Sequence, residues 1–378
     1  MHVNSLARSA AVLAVLASLL AAPPATAAPS GAWETEAIVA AYQRGYPGLT
    51  ESQARRAYSG QERRIRLLEQ LQTQQLDSFG GSWYDPYTDT QHINTVTQPA
   101  AEEALALSAG LGLKTTTHPV TISLKELRAQ ATKAGATVDV INNRLNYQTQ
   151  TDSAPEACTD KYNCGRPLRS GVVLWARNYG EICSLGFTAR GGDRSKWAIT
   201  AGHCAEATGE GVTYGHGEQP IGPIKYSRNS GEVDVARIHV QGTYWSTGGY
   251  FFNLEDANTP IEVDHAIDNR GTIQIGDAVC LSSWHSTLTE SCGTITTAFG
   301  VRGMPTVNFD ACSGDSGGGW YFPTTDGTRW AYGIHRGQSS SGITCHQHTL
   351  NDSVFTALPD INAWWDTTTA STLRVEER

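Results

Sequence analysis

The cysteines of this chain are confined to its second part, and that distribution limits how the chain can fold. Residues 28–157 contain none. The spacings include no Cys-x-x-Cys pair of the kind that structural zinc sites use. An even number of cysteines in an exported chain favours disulfides instead, so the sequence predicts two regions with different means of stabilisation. The eight cysteines are Cys158, Cys164, Cys183, Cys204, Cys280, Cys292, Cys312 and Cys345.

The first 27 residues have the pattern of an export signal. Arg8 precedes an apolar run over 10–22, and residues 25–27 (Ala-Thr-Ala) supply the small side chains of a cleavage site. A membrane anchor is the alternative, but the run is shorter than the roughly 20 apolar residues that span a bilayer. We therefore expect 1–27 to be a signal peptide, and the product to be secreted, extracellular and not membrane-bound.

Composition narrows the class of partner and of fold. The formal net charge of −9 argues against a phosphate-binding surface, so nucleic acid is not an expected partner. With 38 glycines and only 17% charged residues, the chain favours sheet and turns over helix.

Residues 28–150 are predicted to form a small α+β domain. Thr50 and Gln53 have the spacing of a capping box, and apolar residues at helical spacing follow, so we expect a helix over 51–75. We expect the arginines on its outer face to be solvated: Arg55, Arg56, Arg63, Arg64 and Arg66. The other predicted elements are an aromatic strand at 79–85, a helix within 100–110, a strand at 120–122 and a helix at 123–134.

A polar stretch at 151–157 reads as an exposed linker, and the pattern after it changes to short strands separated by Gly-rich turns. Many short strands predict β-barrels or a sandwich for 151–378, with one terminal helix at 358–365. The predicted strands are 172–176, 182–189, 197–201, 233–240, 278–281 and 331–335.

Two motifs in this second region carry chemistry. They are TAGHC at 200–204 and CSGDSGG at 312–318. A serine hydroxyl is a poor nucleophile unless an imidazole takes its proton, so Ser316 and His203 form a candidate nucleophile and base. The glycines around Ser316 let the backbone approach a substrate carbonyl closely. The amides of Gly314 and Ser316 can then form an oxyanion hole.

A third group must hold the tautomer of the imidazole and balance its charge. Asp234 lies between the two motifs in the sequence and within an apolar stretch that would bury it. The alternatives Glu232, Asp256 and Asp264 lie in more polar stretches. We expect the remaining histidines in the last part of the chain to be core or surface residues, not zinc ligands: His335, His346 and His348.

Together the two motifs resemble those of the chymotrypsin-like serine proteases. The stretches 183–187 and 332–334 are typical of the bacterial streptogrisin and α-lytic branch. The first region resembles the propeptides of the same branch at residues 79–85 and 120–127. The resemblance implies two antiparallel β-barrels with the catalytic triad His203, Asp234 and Ser316 in the cleft between them. It also implies that 28–150 is a propeptide that acts as folding template and inhibitor.

The resemblance also implies contacts of the site. The disulfides carry over as Cys183–Cys204, Cys280–Cys292 and Cys312–Cys345, which leaves Cys158 and Cys164 as a short extra loop. Asp315 is buried and ion-paired in the family, although the sequence does not identify its partner here. The chain departs from the family at 319–320, where the wider family often has proline, and at Arg336, where the family usually has serine.

The preference for the residue before the scissile bond depends on Asp310, which lies at the offset that forms the base of the trypsin-like specificity pocket. If Asp310 is buried there, it favours Arg or Lys; the alternative is that its loop bulges and Asp310 faces solvent. Arg336 has two alternatives as well. It pairs either with Asp234 or, if its strand is shifted, with Asp310, which would close the pocket to basic residues.

The sequence therefore predicts a secreted, monomeric serine endopeptidase that needs no cofactor and acts on polypeptides through an acyl-enzyme. Its expected partners are its substrates and its own propeptide. An esterase or a restricted processing protease on the same fold is the alternative within the hydrolases. A binding module with a vestigial site is the alternative outside them.

Overall fold

We describe the protein from a computed structural model. It describes residues 32–74, 77–134, 137–146, 164, 166–176, 182–206, 211–217, 219–241, 244–252, 254, 261–287, 291–338, 352–368 and 372–377. The expected signal peptide, the expected boundary near 150, Cys158, Cys345, His346, His348 and Asp256 lie outside these residues.

Within these ranges the chain forms helices α1 to α6, two short 3₁₀ helices and strands β1 to β22. The α-helices are α1 (Ala32–Gly45), α2 (Glu51–Gln74), α3 (Gln98–Gly110), α4 (Leu124–Ala134), α5 (Gly202–Glu206) and α6 (Leu358–Thr368); the 3₁₀ helices are Arg270–Thr272 and Val301–Gly303. The strands are β1 (Phe79–Asp85), β2 (Thr90–Thr95), β3 (Thr115–Pro119), β4 (Thr137–Asp139), β5 (Arg144–Asn146), β6 (Val173–Ala176), β7 (Ile182–Ser184), β8 (Phe187–Gly191), β9 (Lys196–Thr200), β10 (Thr213–His216), β11 (Gln219–Ser230), β12 (Val233–His239), β13 (Tyr250–Phe251), β14 (Ile261–Glu262), β15 (His265–Ala266), β16 (Ala278–Ser282), β17 (Cys292–Thr297), β18 (Thr306–Val307), β19 (Gly319–Pro323), β20 (Arg329–Gln338), β21 (Ser353–Ala357) and β22 (Leu373–Val375).

The N-terminal region, residues 32–146, has the expected α+β composition. The three-stranded sheet β1-β2-β3 carries helices α2, α3 and α4 around it. The capping box at the start of α2 forms as predicted: the Gln53 amide donates to Thr50 Oγ1 (3.3 Å), and the Thr50 amide donates to Gln53 Oε1 (2.9 Å). Both hydrogen bonds satisfy backbone amides that are otherwise unpaired at the start of a helix.

Two expectations for this region were wrong in detail. The strand expected at 120–122 forms earlier, at Thr115–Pro119, because a run of β-branched threonines pairs in parallel with β2. Arg64, expected on a solvated face, is only 1% exposed, because its guanidinium lies 3.4 Å from the buried Asp277 on the neighbouring region. Helix α1 was not predicted at all.

The region after residue 163 consists of two curled sheets, so the predicted fold class is confirmed. The first sheet has the order β22-β8-β9-β12-β11-β10-β6-β7. In the second, the order β20-β19-β16-β17-β18-β21 closes on itself through a β20–β21 pairing, which makes a six-stranded barrel. Helix α6 follows β21 directly and buries Trp365 completely. No helix of the described residues is long and apolar enough to cross a membrane.

The N-terminal region packs on the second barrel. Ile38 and Tyr42 of α1 belong to the same buried cluster as Val279 and Ile295 of the barrel. Backbone contacts add to this packing, since Trp83 of β1 forms an isolated bridge with Ile275. The two regions therefore share one continuous apolar core.

Within the described residues, the disulfides agree with the expected pairing. Cys183–Cys204 and Cys280–Cys292 are formed. Cys312 is also disulfide-bonded, and its expected partner Cys345 lies outside the described residues.

Candidate active site

His203 and Asp234 are brought together by two neighbouring strands of the first sheet. His203 lies in α5 directly after β9, and Asp234 lies on β12, which pairs with β9. His203 Nδ1 is 2.8 Å from Asp234 Oδ2, and the His203 amide donates to Asp234 Oδ1 at 2.8 Å. Gly202 permits this approach, since a Cβ there would lie 2.0 Å from the carbonyl oxygen of Arg228.

Asp234 is fully buried and remains charged. Burial by itself would raise its pKa, but the His203 ring and Arg336 outweigh burial, so the pKa of Asp234 lies below its usual range. Arg336 Nε is 3.4 Å from Asp234 Oδ2, which is the first of the two positions considered for this arginine. Of the rival carboxylates, Glu232 pairs with Arg128 and Asp264 accepts from the Arg329 amide.

Ser316 reaches the first sheet on a loop of the second barrel. The Ser184 amide donates to the Ser316 carbonyl oxygen at 2.7 Å. Gly317 has φ +87°, and a Cβ there would lie 2.1 Å from Thr200 Oγ1, so only glycine fits between the two sheets. Ser316 Oγ lies 3.4 Å from the carbonyl oxygen of Arg336 and, among the contacts of the described residues, makes no hydrogen bond to His203.

The backbone of this loop leaves two amides available. The amides of Asp315, Gly317 and Gly318 donate to carbonyl oxygens of the loop or of β20. Within the described residues, the amides of Gly314 and Ser316 have no such acceptor. These are the two donors that the sequence proposed for an oxyanion hole.

Asp315 fixes the loop from behind. Its carboxylate accepts from the amides of Cys312 (2.6 Å) and His285 (3.0 Å) and from Ser283 Oγ (2.7 Å). Burial would raise the pKa of Asp315, but these bonds and the His285 ring hold it below the usual range. These partners could not be predicted from the sequence, because Ser283 and His285 lie in a turn about 30 residues earlier with no motif of its own.

Asp310 is 2% exposed, so the solvent-facing alternative is wrong. A second carboxylate lies near it: burial and Asp310 together raise the pKa of Asp352 to about 6. Sequence reasoning missed Asp352, because it lies about 40 residues later, just before β21.

Two side-chain groups have the composition of a metal site, but disulfides already occupy their sulfurs. They are Cys183, His203 and Cys204, and His285, Cys312 and Asp315. A sulfur held in a disulfide is no longer a thiolate ligand. His335 is a core residue, as expected; Trp320 Nε1 lies 3.4 Å from its Nδ1, and burial lowers its pKa to about 4.

No protein-family model matches the sequence, and no curated protein matches it either. Solved protease structures are similar to part of it. The Nocardiopsis protease is 22% identical with a TM-score of 0.41, and the match covers 56% of this chain and 100% of that one. The Cellulomonas bogoriensis chymotrypsin is 23% identical (TM-score 0.42, covering 56% and 100%). The α-lytic protease homolog N4 is 20% identical (TM-score 0.42, covering 55% and 99%).

Proposed function

We propose that the chain is the precursor of a secreted serine endopeptidase with Ser316 as nucleophile, His203 as general base and Asp234 as the residue that orients His203. The observation that carries the proposal is the buried, charged Asp234 bonded to His203 Nδ1 at 2.8 Å. That bond leaves Nε2 as the basic nitrogen, and the His203 side chain is 20% exposed. An exposed base held by a buried carboxylate is the arrangement that acyl transfer to serine requires.

The reaction would proceed in two halves. Ser316 Oγ exchanges its contact with the Arg336 carbonyl for His203 Nε2, loses its proton there and attacks the carbonyl carbon of the substrate. The protonated His203 then delivers that proton to the leaving amine, which breaks the C–N bond and leaves the acyl-enzyme. Water, activated by His203 in the same way, releases the acid.

The available amides of Gly314 and Ser316 would bind the oxygen that becomes negative during each attack. Their geometry is fixed before substrate arrives, because Asp315 and Ser184 hold the loop on both sides. Preorganised donors of this kind contribute roughly 3–4 kcal/mol of transition-state stabilisation each.

Labelling with a fluorophosphonate tests this assignment. The trimmed wild-type protein should form a covalent adduct that peptide mass spectrometry locates at Ser316, and Ser316→Ala should form none. Ser313→Ala is the control: that hydroxyl belongs to the same loop, but the mechanism gives it no role. An adduct that persists in Ser316→Ala would overturn the proposal.

We further propose that Asp310 and Asp352 favour a basic side chain before the scissile bond. Two carboxylates close to each other favour a positively charged group beside them, and an Arg or Lys side chain of the substrate would supply one. For matched peptides, the ratio of kcat/KM for Arg to that for Phe should fall by about two orders of magnitude in Asp310→Ser. A wild-type preference for Phe that the variant does not change would rule out a basic pocket.

The N-terminal region is proposed as a propeptide, residues 28–150, that helps the 151–378 domain to fold and is then removed. Its interface with the barrel contains buried ion pairs beside the apolar contacts of α1, and the ion pairs support this role. Glu34 pairs with Arg329 at 2.6 Å and accepts from the Tyr321 hydroxyl at 2.9 Å. When the interface separates, these charged groups gain water, which offsets part of the cost of exposing the apolar contacts.

The experiment is expression from residue 151 onward, with and without the N-terminal region supplied as a separate chain. A fold dominated by non-local strand pairing folds slowly, so we expect little active protein without the region and recovery with it. Equal yields of active protein in both cases would contradict the propeptide role.

A further inference from the structure

A small polar pocket lies in the N-terminal region, and none of the residues that line it belongs to the candidate active site. It has a volume of about 120 Å³ and lies between α2, the β1–β2 hairpin and the turn that leads from α3 to β3. Four basic residues line it, Arg56, Arg63, Arg64 and Lys114, together with the acceptors Asp89 and Gln91.

Arg64 is buried and only partly satisfied. Its Nη2 donates to the Ala57 carbonyl at 2.9 Å and lies 3.4 Å from Asp277 Oδ1, on the barrel side. Its Nε and Nη1 are buried and have no hydrogen-bond partner among the described residues. A Cβ on Gly60, which lines the pocket, would lie 2.8 Å from Nη1. The unsatisfied end of Arg64 therefore faces the pocket, where a ligand can satisfy it.

The guanidinium of Arg63 lies close to the same part of the pocket. The Cβ position of Gly60 is 3.9 Å from Arg63 Nη2, and the Cβ position of Gly112 is 3.6 Å from Arg63 Nη1. Arg63 makes no ion pair within the described part of the chain. Lys114 and Arg56 add two further positive charges to the lining. Like charges brought this close repel each other, and an anion between them removes that repulsion.

The acceptors in the pocket indicate which anion. Gln91 Nε2 donates to the carbonyl oxygens of Trp83 and His92, both at 3.2 Å, which fixes the orientation of the amide. Its Oε1 is left buried with no partner among the described residues. Asp89 is also an acceptor, although the Tyr84 hydroxyl already donates to it at 2.7 Å. An anion that carries its own O–H can donate to such groups, and inorganic phosphate at neutral pH has one.

We propose that this pocket binds a small, protonated phosphate-type oxyanion, held by Arg63, Arg64 and Lys114, with its hydroxyl directed to Gln91 or Asp89. Arg64 contacts this ligand through Nη1 and Asp277 of the barrel through Nη2. A ligand held in part by Arg64 therefore binds the docked chain and stabilises the docked N-terminal region by mass action.

The test is calorimetric titration of the full chain, carrying Ser316→Ala to prevent processing, with phosphate, sulfate and acetate at constant ionic strength. We expect phosphate to bind with a submillimolar Kd and to raise the Tm. The double variant Arg63→Gln/Lys114→Gln should weaken phosphate binding at least about tenfold, because it removes two of the four positive charges that line the pocket without touching the buried Arg64. Arg66→Gln is the matched control, since Arg66 lies on the same helix and pairs with Glu62 outside the pocket.

Sulfate should bind at least about tenfold more weakly than phosphate, because it has no O–H for Gln91 or Asp89. Failure of phosphate to bind at 10 mM (about the upper limit of a useful titration) would overturn the proposal. Equal binding by the double variant, or equal affinity for sulfate and phosphate, would overturn it too. None of these readouts requires peptidase activity, so they stand apart from the proposed function.

Discussion

Buried carboxylates occur on two sides of the second barrel, and they are satisfied in different ways. Where the barrel meets the first sheet, the carboxylates of Asp234 and Asp315 accept from backbone amides of their own region. Where it meets the N-terminal region, Glu34 and Asp277 face arginines across the interface. Burial raises the pKa of Asp277 to about 7, and Arg64 only partly opposes the rise.

This difference distinguishes a contact that does not depend on the N-terminal region from one that does. These backbone amides do not belong to the N-terminal region, so the site would keep its charges if that region were removed. A carboxylate that depends on an arginine of the other region is satisfied only while the two are docked. We infer that the contact between the second barrel and the first sheet, here called the seam, is permanent. The interface between the second barrel and the N-terminal region is inferred to be separable.

The largest effect is expected from Asp315→Asn, which removes an acceptor on the permanent side. The side-chain amide cannot accept from the Cys312 amide and the His285 amide as a carboxylate does, so the loop with Gly314 and Ser316 loses its support. We expect a loss of roughly 3–5 kcal/mol in the free energy of unfolding and a fall in kcat/KM of at least about 100-fold. Denaturant unfolding and peptide hydrolysis measure the two losses.

Asp326→Asn is the control for that variant, because Asp326 accepts hydrogen bonds only from Thr324 and Thr328 of its own turn. It should leave kcat/KM unchanged. Comparable activity losses in both variants would mean that Asp315 has no special role in the loop.

A smaller effect is expected at the separable interface from Glu34→Gln. The variant removes the ion-pair partner of the buried Arg329, so the full chain carrying Ser316→Ala should lose roughly 3 kcal/mol in unfolding free energy. Glu36→Gln should cost at most about 1 kcal/mol, since the Glu36–Arg55 pair is exposed. Equal losses in Glu34→Gln and Glu36→Gln would contradict the comparison.

The fold was predictable where a local pattern carried it. The capping box of α2 and the strands β6, β9, β12 and β16 formed within a residue or two of their predicted positions, because their periodicity or flanking turns specify them. The exposure of Arg64 was predicted wrongly because its partner Asp277 is more than 200 residues away. No local pattern distinguishes Arg64 from its solvated neighbours. Of the predicted site residues, His203 and Asp234 lie in contact, whereas Ser184, His285 and Asp352 are defined only by tertiary contacts.

Arg336 tests the comparison further, because this arginine pairs with the buried carboxylate of Asp234 where the second barrel meets the first sheet. Asp234 keeps its bonds to His203 when Arg336 is lost, so Arg336→Ser should lower kcat less than about tenfold. Arg336 helps to hold the pKa of Asp234 below its usual range, so its loss should raise that pKa. The acid limb of the kcat/KM profile should therefore move to higher pH, and Arg336→Lys should restore it. An unchanged profile would show that the arginine only fills space.

The smallest effect concerns Asp352. Because its pKa is raised to about 6, its charge is lost as pH falls through 6 and regained above it. The ratio of kcat/KM for Arg to that for Phe peptides should rise severalfold between about pH 5 and 7, and the contribution of His203 cancels in this ratio. Asp352→Asn should flatten the rise. A ratio that does not vary with pH in the wild type would remove Asp352 from the pocket.

The most direct test of the central claim compares His203→Ala, Ser316→Ala and the double variant in peptide hydrolysis, on protein trimmed separately by another protease. If the two side chains act as one unit across the seam, each single variant should lower kcat by about 10⁵-fold or more, and the double variant should be no slower than either. Losses that multiply in the double variant would contradict the account, because they would mean that His203 and Ser316 act independently.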